Sequence, residues 1–545
     1  MNIETIKVVN NSSPNFSYII ADVVNASLSE GIFPTALKTA KVVPIYKGGP
    51  KYEIQNYRPI SLLSAFSKIY EKVMYRRVHD FLILNNTLHE NQYGFRQGRS
   101  CEHALLVAQN EILSSLGKKE ISMLLLIDFS KAFDTVYHEI LLRKLYFYGI
   151  RGIAHSWFKS YLSGRKQYVS LNNKNSATLD MQFGVPQGSI LGPLLFIIYI
   201  NDIPNVSEYA KFVMYADDAN LLLTGKNVEE IESKFIHLSK NLESWVNCNR
   251  LAFNLKKTHY MIFASRKVDD LGFKPKLCDF EISRKNTARF LGVIINENLT
   301  WNDHILAIKA KMSRYVGILY KLKKFLPLSA LKNIFHSFVQ SHLNYCSLVW
   351  GLGCKSSIER LFVEQKKAIR ALAPGFNRNF FKDGLAPCHT KPIFATYEMR
   401  SVQTIILTNV LLFMSKFHNH SHLLPQSVRN IISSNAPTPD CEVTDEVIEW
   451  SVKHSTGKLR NSISFKGPLF YLHFKSTIFD SHSSVGKTDS PTFSMIKKRV
   501  KGLLFNVQCH GDENDWEGAN TPLYNVPGLP RQKREIIYHV NYAEL

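Results

Sequence analysis

The chain has 545 residues, 45% of them hydrophobic, and a formal net charge of +22 from 67 Lys plus Arg against 45 Asp plus Glu. That length exceeds one ordinary domain and accommodates about three, and the apolar content excludes wholesale disorder. A small-molecule enzyme has no need of such a cationic excess; a polyanionic partner, most simply nucleic acid, accounts for it, with a solubilising basic surface or an anionic membrane as the blander readings. In chain order, residues 1–35 predict a helical lead-in with an apolar stripe of Ile19, Ile20, Val23, Val24 and Leu28. Residues 38–78 are basic, opposed only by Glu53 and Glu71. Within them Lys41 to Lys47 reads as a strand ended by Gly48-Gly49-Pro50, and Ile60 to Leu82 has helical periodicity. Met123 to Ile127 is apolar without alternation, the pattern of a central strand buried on both faces. Asp128 follows it directly, and a helix is expected through Tyr146. Gly184 to Pro193 is a glycine-rich turn leading into a helix over Leu194 to Ile200.

Phe212-Val213-Met214 and Leu221-Leu222-Leu223 flank Tyr215-Ala216-Asp217-Asp218, which predicts a hairpin carrying two carboxylates at its tip. An amphipathic helix over 226–250 and strands at Thr258 to Phe263 and Arg289 to Ile295 follow. From 301, Ile305, Ile308, Met312, Val316 and Leu319 recur at helical spacing, with Lys309, Lys311, Arg314, Lys321, Lys323, Lys324 and Lys332 on the other faces. Residues 433–465 read as a loop or linker, and the last ~40 residues as poorly ordered. No segment reaches the ~18 apolar residues needed to span a bilayer. The N-terminus lacks a secretory signal, and the eight cysteines have neither C-x-x-C nor zinc-finger spacing, so they are read as reduced packing thiols. The expected location is inside the cell, in nucleus or cytoplasm.

Taken alone, Asp128 is best read as a helix N-cap and Asp217-Asp218 as a solvated turn. Both follow or interrupt strand-like runs, however, and adjacent strands of one sheet would bring them together. Three converging carboxylates form an oxygen-rich site suited to Mg²⁺. Two such ions would activate a 3′-hydroxyl and stabilise a leaving pyrophosphate, so the chemistry expected is phosphoryl transfer.

Ile127-Asp128-Phe129-Ser130-Lys131-Ala132-Phe133-Asp134, Gly184-Val185-Pro186-Gln187-Gly188-Ser189 and Tyr215-Ala216-Asp217-Asp218 occur in this order. They resemble the three palm motifs of reverse transcriptases. With Asn56 to Leu63, Gln92-Tyr93-Gly94-Phe95-Arg96, Asn254 to Thr258 and Phe290-Leu291-Gly292-Val293, the set is similar to the polymerases of non-LTR (LINE-type) retrotransposons, close to the Jockey and CR1-like groups. The resemblance covers roughly residues 30–350 tightly and the remainder more weakly. It implies an α+β right-hand polymerase: lead-in 1–35, fingers 36–120, palm 121–300 with finger insertions, thumb and helical region 301–432, and a C-terminal region 433–545 with a partly disordered tail.

The resemblance also implies roles. Asp128, Asp217 and, less directly, Asp218 would bind two Mg²⁺ ions, or Mn²⁺. Phe129, Phe133, Gln187 and Gly188 would meet the nucleotide, the Phe133 ring excluding a 2′-hydroxyl. Lys41, Lys47 and Arg58 would hold the triphosphate, and Lys257 would donate a proton to pyrophosphate. Phe290, Leu291 and Gly292 would grip the primer, and Lys309, Lys311, Arg314, Lys321, Lys323 and Lys324 would track the duplex backbone. The partners implied are an RNA template, a DNA primer and deoxynucleoside triphosphates. Only ~40 residues precede the first motif, too few for the apurinic-type endonuclease of such elements, and no ribonuclease H pattern or zinc knuckle is visible. The expectation is therefore a truncated copy, a partial gene model or a polymerase-only product needing a nuclease in trans if mobile. The rival readings are a catalytically silent nucleic-acid-binding remnant and an RNA-dependent RNA polymerase, the latter opposed by Phe133. A group II intron-type polymerase would carry a maturase region, and none is seen.

Overall fold

The structure is a computed structural model that describes residues 14–266, 268, 272–373, 390–433, 462–464, 466–468, 471, 494, 496–501 and 504. Most of the expected C-terminal region and residues 1–13 of the lead-in lie outside the described residues. The fold is α+β and divides into two units, one of residues 1–104 and 120–285, the other of 105–119 and 286–545.

The first unit is built around a five-stranded sheet. Its strands are β3 (Ile121–Ile127), β7 (Ala210–Tyr215), β8 (Asp218–Gly225), β9 (His259–Phe263) and β12 (Ser283–Arg284), in the order β12-β9-β3-β8-β7. β3 runs antiparallel to both neighbours and is buried from Ser122 onward, as its unbroken apolar run requires. The helices Ala65–Leu84, His138–Phe147, Gly152–Leu162, Leu191–Tyr199 and Val228–Cys248 supply a shared core in which Trp157, Phe158, Tyr161, Phe196 and Tyr199 are fully buried. Burying each such ring is worth about 1.5–3 kcal/mol over leaving it in water.

A second sheet in this unit joins β2 (Tyr57–Leu62), β1 (Thr39–Tyr46), β4 (Lys166–Leu171) and β5 (Lys174–Asn175), with β6 (Leu179–Asp180) also on β4. Here the structure corrects the helical reading of Ile60 to Leu82: residues 57–62 are strand, and the helix starts at Ala65. Pro59 holds Arg58 extended, and Arg58 to Leu62 pair with Ile45 back to Lys41. Two short strands, β10 (Lys276–Leu277) and β11 (Phe280–Glu281), form a small separate pair.

In the second unit, the single strand expected over Arg289 to Ile295 is a hairpin of β13 (Thr287–Phe290) and β14 (Val293–Asn296). Leu291 and Gly292 turn the chain at φ +44° and +83°, the double positive φ of a tight hairpin turn. The helix Asn302–Leu322 buries Ile305, Ile308, Met312, Val316 and Leu319 and packs against the helix Lys355–Leu372. The apolar stretch from Ile405 to Met414 lies in the helix Val402–Asn419, where it is almost wholly buried. Among the described residues no helix is long and apolar enough to cross a membrane.

Candidate active site

The register of the central sheet assembles the acidic residues. Ile127 pairs with Ala219 across β3 and β8, and Asp128 and Asp218 are the residues next to that last pair. β7 and β8 are joined through Ala216 and Asp217, with Tyr215 paired to Asp218. Three carboxylates from two sequence segments thus share one end of one sheet. The helical residues nearest after Asp128 begin at Ala132 and are capped by Lys131, so Asp128 is not the helix cap it resembled.

The electrostatics record this proximity. Asp217 is pushed above the ordinary carboxylate range by burial and by repulsion from Asp128, against opposing pulls from a backbone N–H, Arg58 and Lys257. Asp218 is pushed up to about 6, first by loss of hydration and then by Asp217 and Asp128, with Lys257 opposing. Its side chain reaches solvent, yet the protein around it removes enough water to remain the largest cause. Like charges held this close call for a cation. As placed, no group of three or more His, Cys, Asp or Glu among the described residues has metal-holding geometry; the donor set and its mutual repulsion nevertheless fit a divalent ion.

A carboxyl whose folded pKa is raised favours the fold when protonated. Its contribution is full below the ordinary value of 3.8 and is lost as pH rises through about 6. Asp218→Asn should therefore raise the melting temperature of the metal-free protein at pH 7.5 and leave it nearly unchanged at pH 3.5. Thermal melts in EDTA check this, and a lower melting temperature at pH 7.5 would count against it.

The segment after the helix Val228–Cys248 closes over Asp128. Asn254 Nδ2 donates to Asp128 Oδ2 at 2.8 Å, its backbone N–H donates to the Asp128 carbonyl at 2.7 Å, and Lys257 Nζ stands 3.4 Å from Oδ2. Lys257 is 71% exposed, free to leave that ion pair and swing outward. Phe129 is buried, stacked on Phe253 at 5.7 Å and tilted against Trp245. That corrects its expected place at the nucleotide: the ring belongs to the core, and only its backbone is left for such a contact.

The Gly184–Ser189 loop is held from three sides. Gln187 Nε2 donates to Asp134 Oδ1 at 2.8 Å, and Ser61 N donates to the Gln187 carbonyl at 2.7 Å. Gly188, at φ +131°, lies so near β2 that a Cβ there would stand 2.5 Å from Ser61 O, which only glycine avoids. Glu71, fully buried, accepts from Ile190 N at 2.6 Å and from Ser67 Oγ at 3.0 Å. Half-buried Phe133 is stacked on Phe196 at 4.5 Å, with the edge of Phe95 against it. Of the three basic residues expected at the triphosphate, Arg58 acts electrostatically on Asp217 and Lys47 on Asp134. Lys41 pairs with Leu62, four positions along β1 from the partner of Arg58, about 13 Å at the rise of a strand.

Residues 45–295 match the family model described as reverse transcriptase (RNA-dependent DNA polymerase). Over 370 residues the chain is 30% identical to the "Probable RNA-directed DNA polymerase from transposon BS" of Drosophila melanogaster, covering 65% of this chain and 40% of that protein. It is 28% identical over 376 residues to the RNA-directed DNA polymerase from mobile element jockey of the same species, covering 66% and 40%. The chain thus spans about two fifths of the length of these curated relatives. The solved apo telomerase of Candida tropicalis overlaps 90% of this chain and 74% of its own at 12% identity, with a TM-score of 0.36, too loose to carry a structural argument.

The matched residues end in the second unit, where the β13–β14 hairpin presents its Leu291–Gly292 turn while Phe290 is buried beneath it. Tyr345 Oη donates to the Leu291 carbonyl at 2.7 Å and so supports that turn. Lys311, Arg314, Lys321 and Lys324 are exposed on or just past the helix Asn302–Leu322, with Lys309 and Lys323 half-buried. Asn254, Asp134 and Glu71 were assigned no role from sequence. Asn254 lies inside a recognised motif, so its spacing to Lys257 was a usable signal. Glu71 looked like a stray acid in a basic helix, and nothing local marks it as an anchor.

Proposed function

We propose that the chain is an RNA-directed DNA polymerase of a non-LTR retrotransposon, extending a DNA primer on an RNA template. The observation that carries this reading is the meeting of Asp128, Asp217 and Asp218 at one end of the β3–β8 pair. Asp128 and Asp217 are the main candidates to hold divalent ions, with Asp218 beside them; Asn254 orients Asp128. Bound Mg²⁺ would neutralise the triphosphate and make the primer 3′-hydroxyl more acidic. Lys257 would give its proton to the departing pyrophosphate once the carboxylates have another counter-charge. Gln187, fixed by Asp134, and the backbone at Gly188 approach the nucleotide, and Arg58 and Lys47 offer charge to its phosphates. The Leu291–Gly292 turn and the basic residues from Lys309 to Lys324 contact primer and duplex backbone, which makes binding sequence-independent and salt-sensitive.

Phe133 supplies sugar selectivity. With one face on Phe196 and an edge from Phe95 it cannot swing aside, so a 2′-hydroxyl meets a fixed ring. Phe133→Ala should raise ribonucleotide incorporation relative to deoxynucleotide by about 10–100-fold, the range a small steric difference commands in a packed pocket. Primer extension on an RNA template, with each triphosphate supplied separately to wild type and variant, tests both the activity and the gate. Unchanged discrimination would remove Phe133 from that role, and wild type that binds the template–primer without extending it would leave a binding module.

A further inference from the structure

The segment Asn91–Arg96 runs alongside β7. Met214 N donates to the Asn91 carbonyl at 2.9 Å, and Tyr93 N donates to the Met214 carbonyl at 2.8 Å, which sets Gln92 opposite Met214 as a parallel bridge. Gln92 is 1% exposed. Its Oε1 accepts two backbone hydrogen bonds, from Gly94 N at 2.8 Å and from Ala216 N at 3.1 Å. Two N–H groups aimed at one atom identify that atom as the carbonyl oxygen.

Ala216 is the first central residue of the turn that carries Asp217 and Asp218, and it sits at φ +56°. Two-residue hairpin turns normally reserve that left-handed position for glycine, asparagine or aspartate, and an alanine held there needs its surroundings to fix it. Its N–H is the group Gln92 takes. Gly94 completes the hold: a Cβ at that position would collide with Ala216 N and lie 2.9 Å from Tyr215 C, so the backbone can approach the turn this closely only without a side chain. Gln92 Nε2 is buried with no hydrogen-bond partner among the described residues. The side chain is thus buried at a polar cost and used on its oxygen side alone.

We propose that Gln92 is a positioning residue: its carbonyl fixes the strained Ala216 turn and thereby sets where the Asp217 and Asp218 carboxylates point. The catalytic consequence rests on the polymerase reading above, whereas the structural claim stands apart from it. A leucine at 92 keeps the bulk but leaves both N–H groups unsatisfied, and a glutamate keeps the acceptor.

Amide hydrogen exchange on the full metal-free chain reads the structural claim. In Gln92→Leu the Ala216 amide should lose roughly tenfold in protection, the scale of one buried hydrogen bond, while the amides of strands β3 and β9 stay as in wild type; Gln92→Glu should restore it. In primer extension Gln92→Leu should lower kcat by about 10–100-fold, as when the support of a ligating carboxylate is removed, with the deoxynucleotide KM and template–primer Kd within about twofold. Unchanged Ala216 protection in Gln92→Leu overturns the proposal, as does a loss spread evenly over the sheet that Gln92→Glu fails to reverse. The exchange result decides the positioning claim whether or not wild type extends a primer; failure of wild type to extend counts against the polymerase reading alone.

Discussion

Asp217→Ala is expected to lower single-turnover extension of a DNA primer on an RNA template by about 10³-fold or more, with template–primer affinity within about twofold of wild type. The residue sits on a two-residue turn between paired strands, half-buried and beside two other acids. A ligand to a catalytic divalent ion contributes several kcal/mol of transition-state stabilisation, and each 1.36 kcal/mol is a factor of ten. On the proposed reading duplex affinity would come from cations outside this cluster, so removing one carboxylate should barely change it and should reduce local repulsion. Rapid-quench extension and filter binding on the same preparation separate the two effects. An Asp217→Ala protein that extends within tenfold of wild type would remove the residue from the catalytic centre.

Glu71→Ala is expected to destabilise the first unit by about 1–3 kcal/mol, the cost of leaving a buried donor unsatisfied. Glu71 is fully buried, takes the N–H of Ile190 and the hydroxyl of Ser67, and shares the interior with the equally buried Arg165. Truncation would leave the Ile190 N–H, at the entrance of the helix Leu191–Tyr199, and the Ser67 hydroxyl without this acceptor. Burial pushes the Glu71 carboxyl up, with the Ile190 N–H, Ser67 and Arg165 pulling the other way, so Glu71→Gln, which keeps an acceptor, should cost distinctly less. Urea denaturation followed by near-ultraviolet circular dichroism measures both variants. A Glu71→Ala cost under about 1 kcal/mol would mean the anchor is dispensable.

What could be read from sequence was whatever is written in consecutive residues. Met123 to Ile127 announces a central strand because nothing polar interrupts it, and the Tyr215–Asp218 hairpin is framed by two apolar runs. Asp128 and the Asp217–Asp218 pair are expected on adjacent strands, and the strands that carry them, β3 and β8, are paired up to Ile127 and Ala219. The misreadings came from partners far away in the chain. Ile60 joins a strand because Val43 pairs with it, a contact that outweighs its helical spacing. Arg289 to Ile295 bends in the middle because Tyr345, 54 residues on, supports the Leu291 turn. Phe129 resembles a nucleotide contact within its motif, yet Phe253 and Trp245 draw its ring into the core. The support of the acidic turn by Gln92 spans 124 positions and leaves no periodic trace.

The most direct test of the central claim is single-nucleotide incorporation by the wild-type chain on a primed RNA template as Mg²⁺ is raised from zero. A polymerase centre at these carboxylates should give no addition in EDTA, then Mg²⁺-dependent addition of the deoxynucleotide complementary to the template base, with one pyrophosphate released per addition. A folded protein that binds the template–primer but adds no nucleotide at any Mg²⁺ concentration would contradict it.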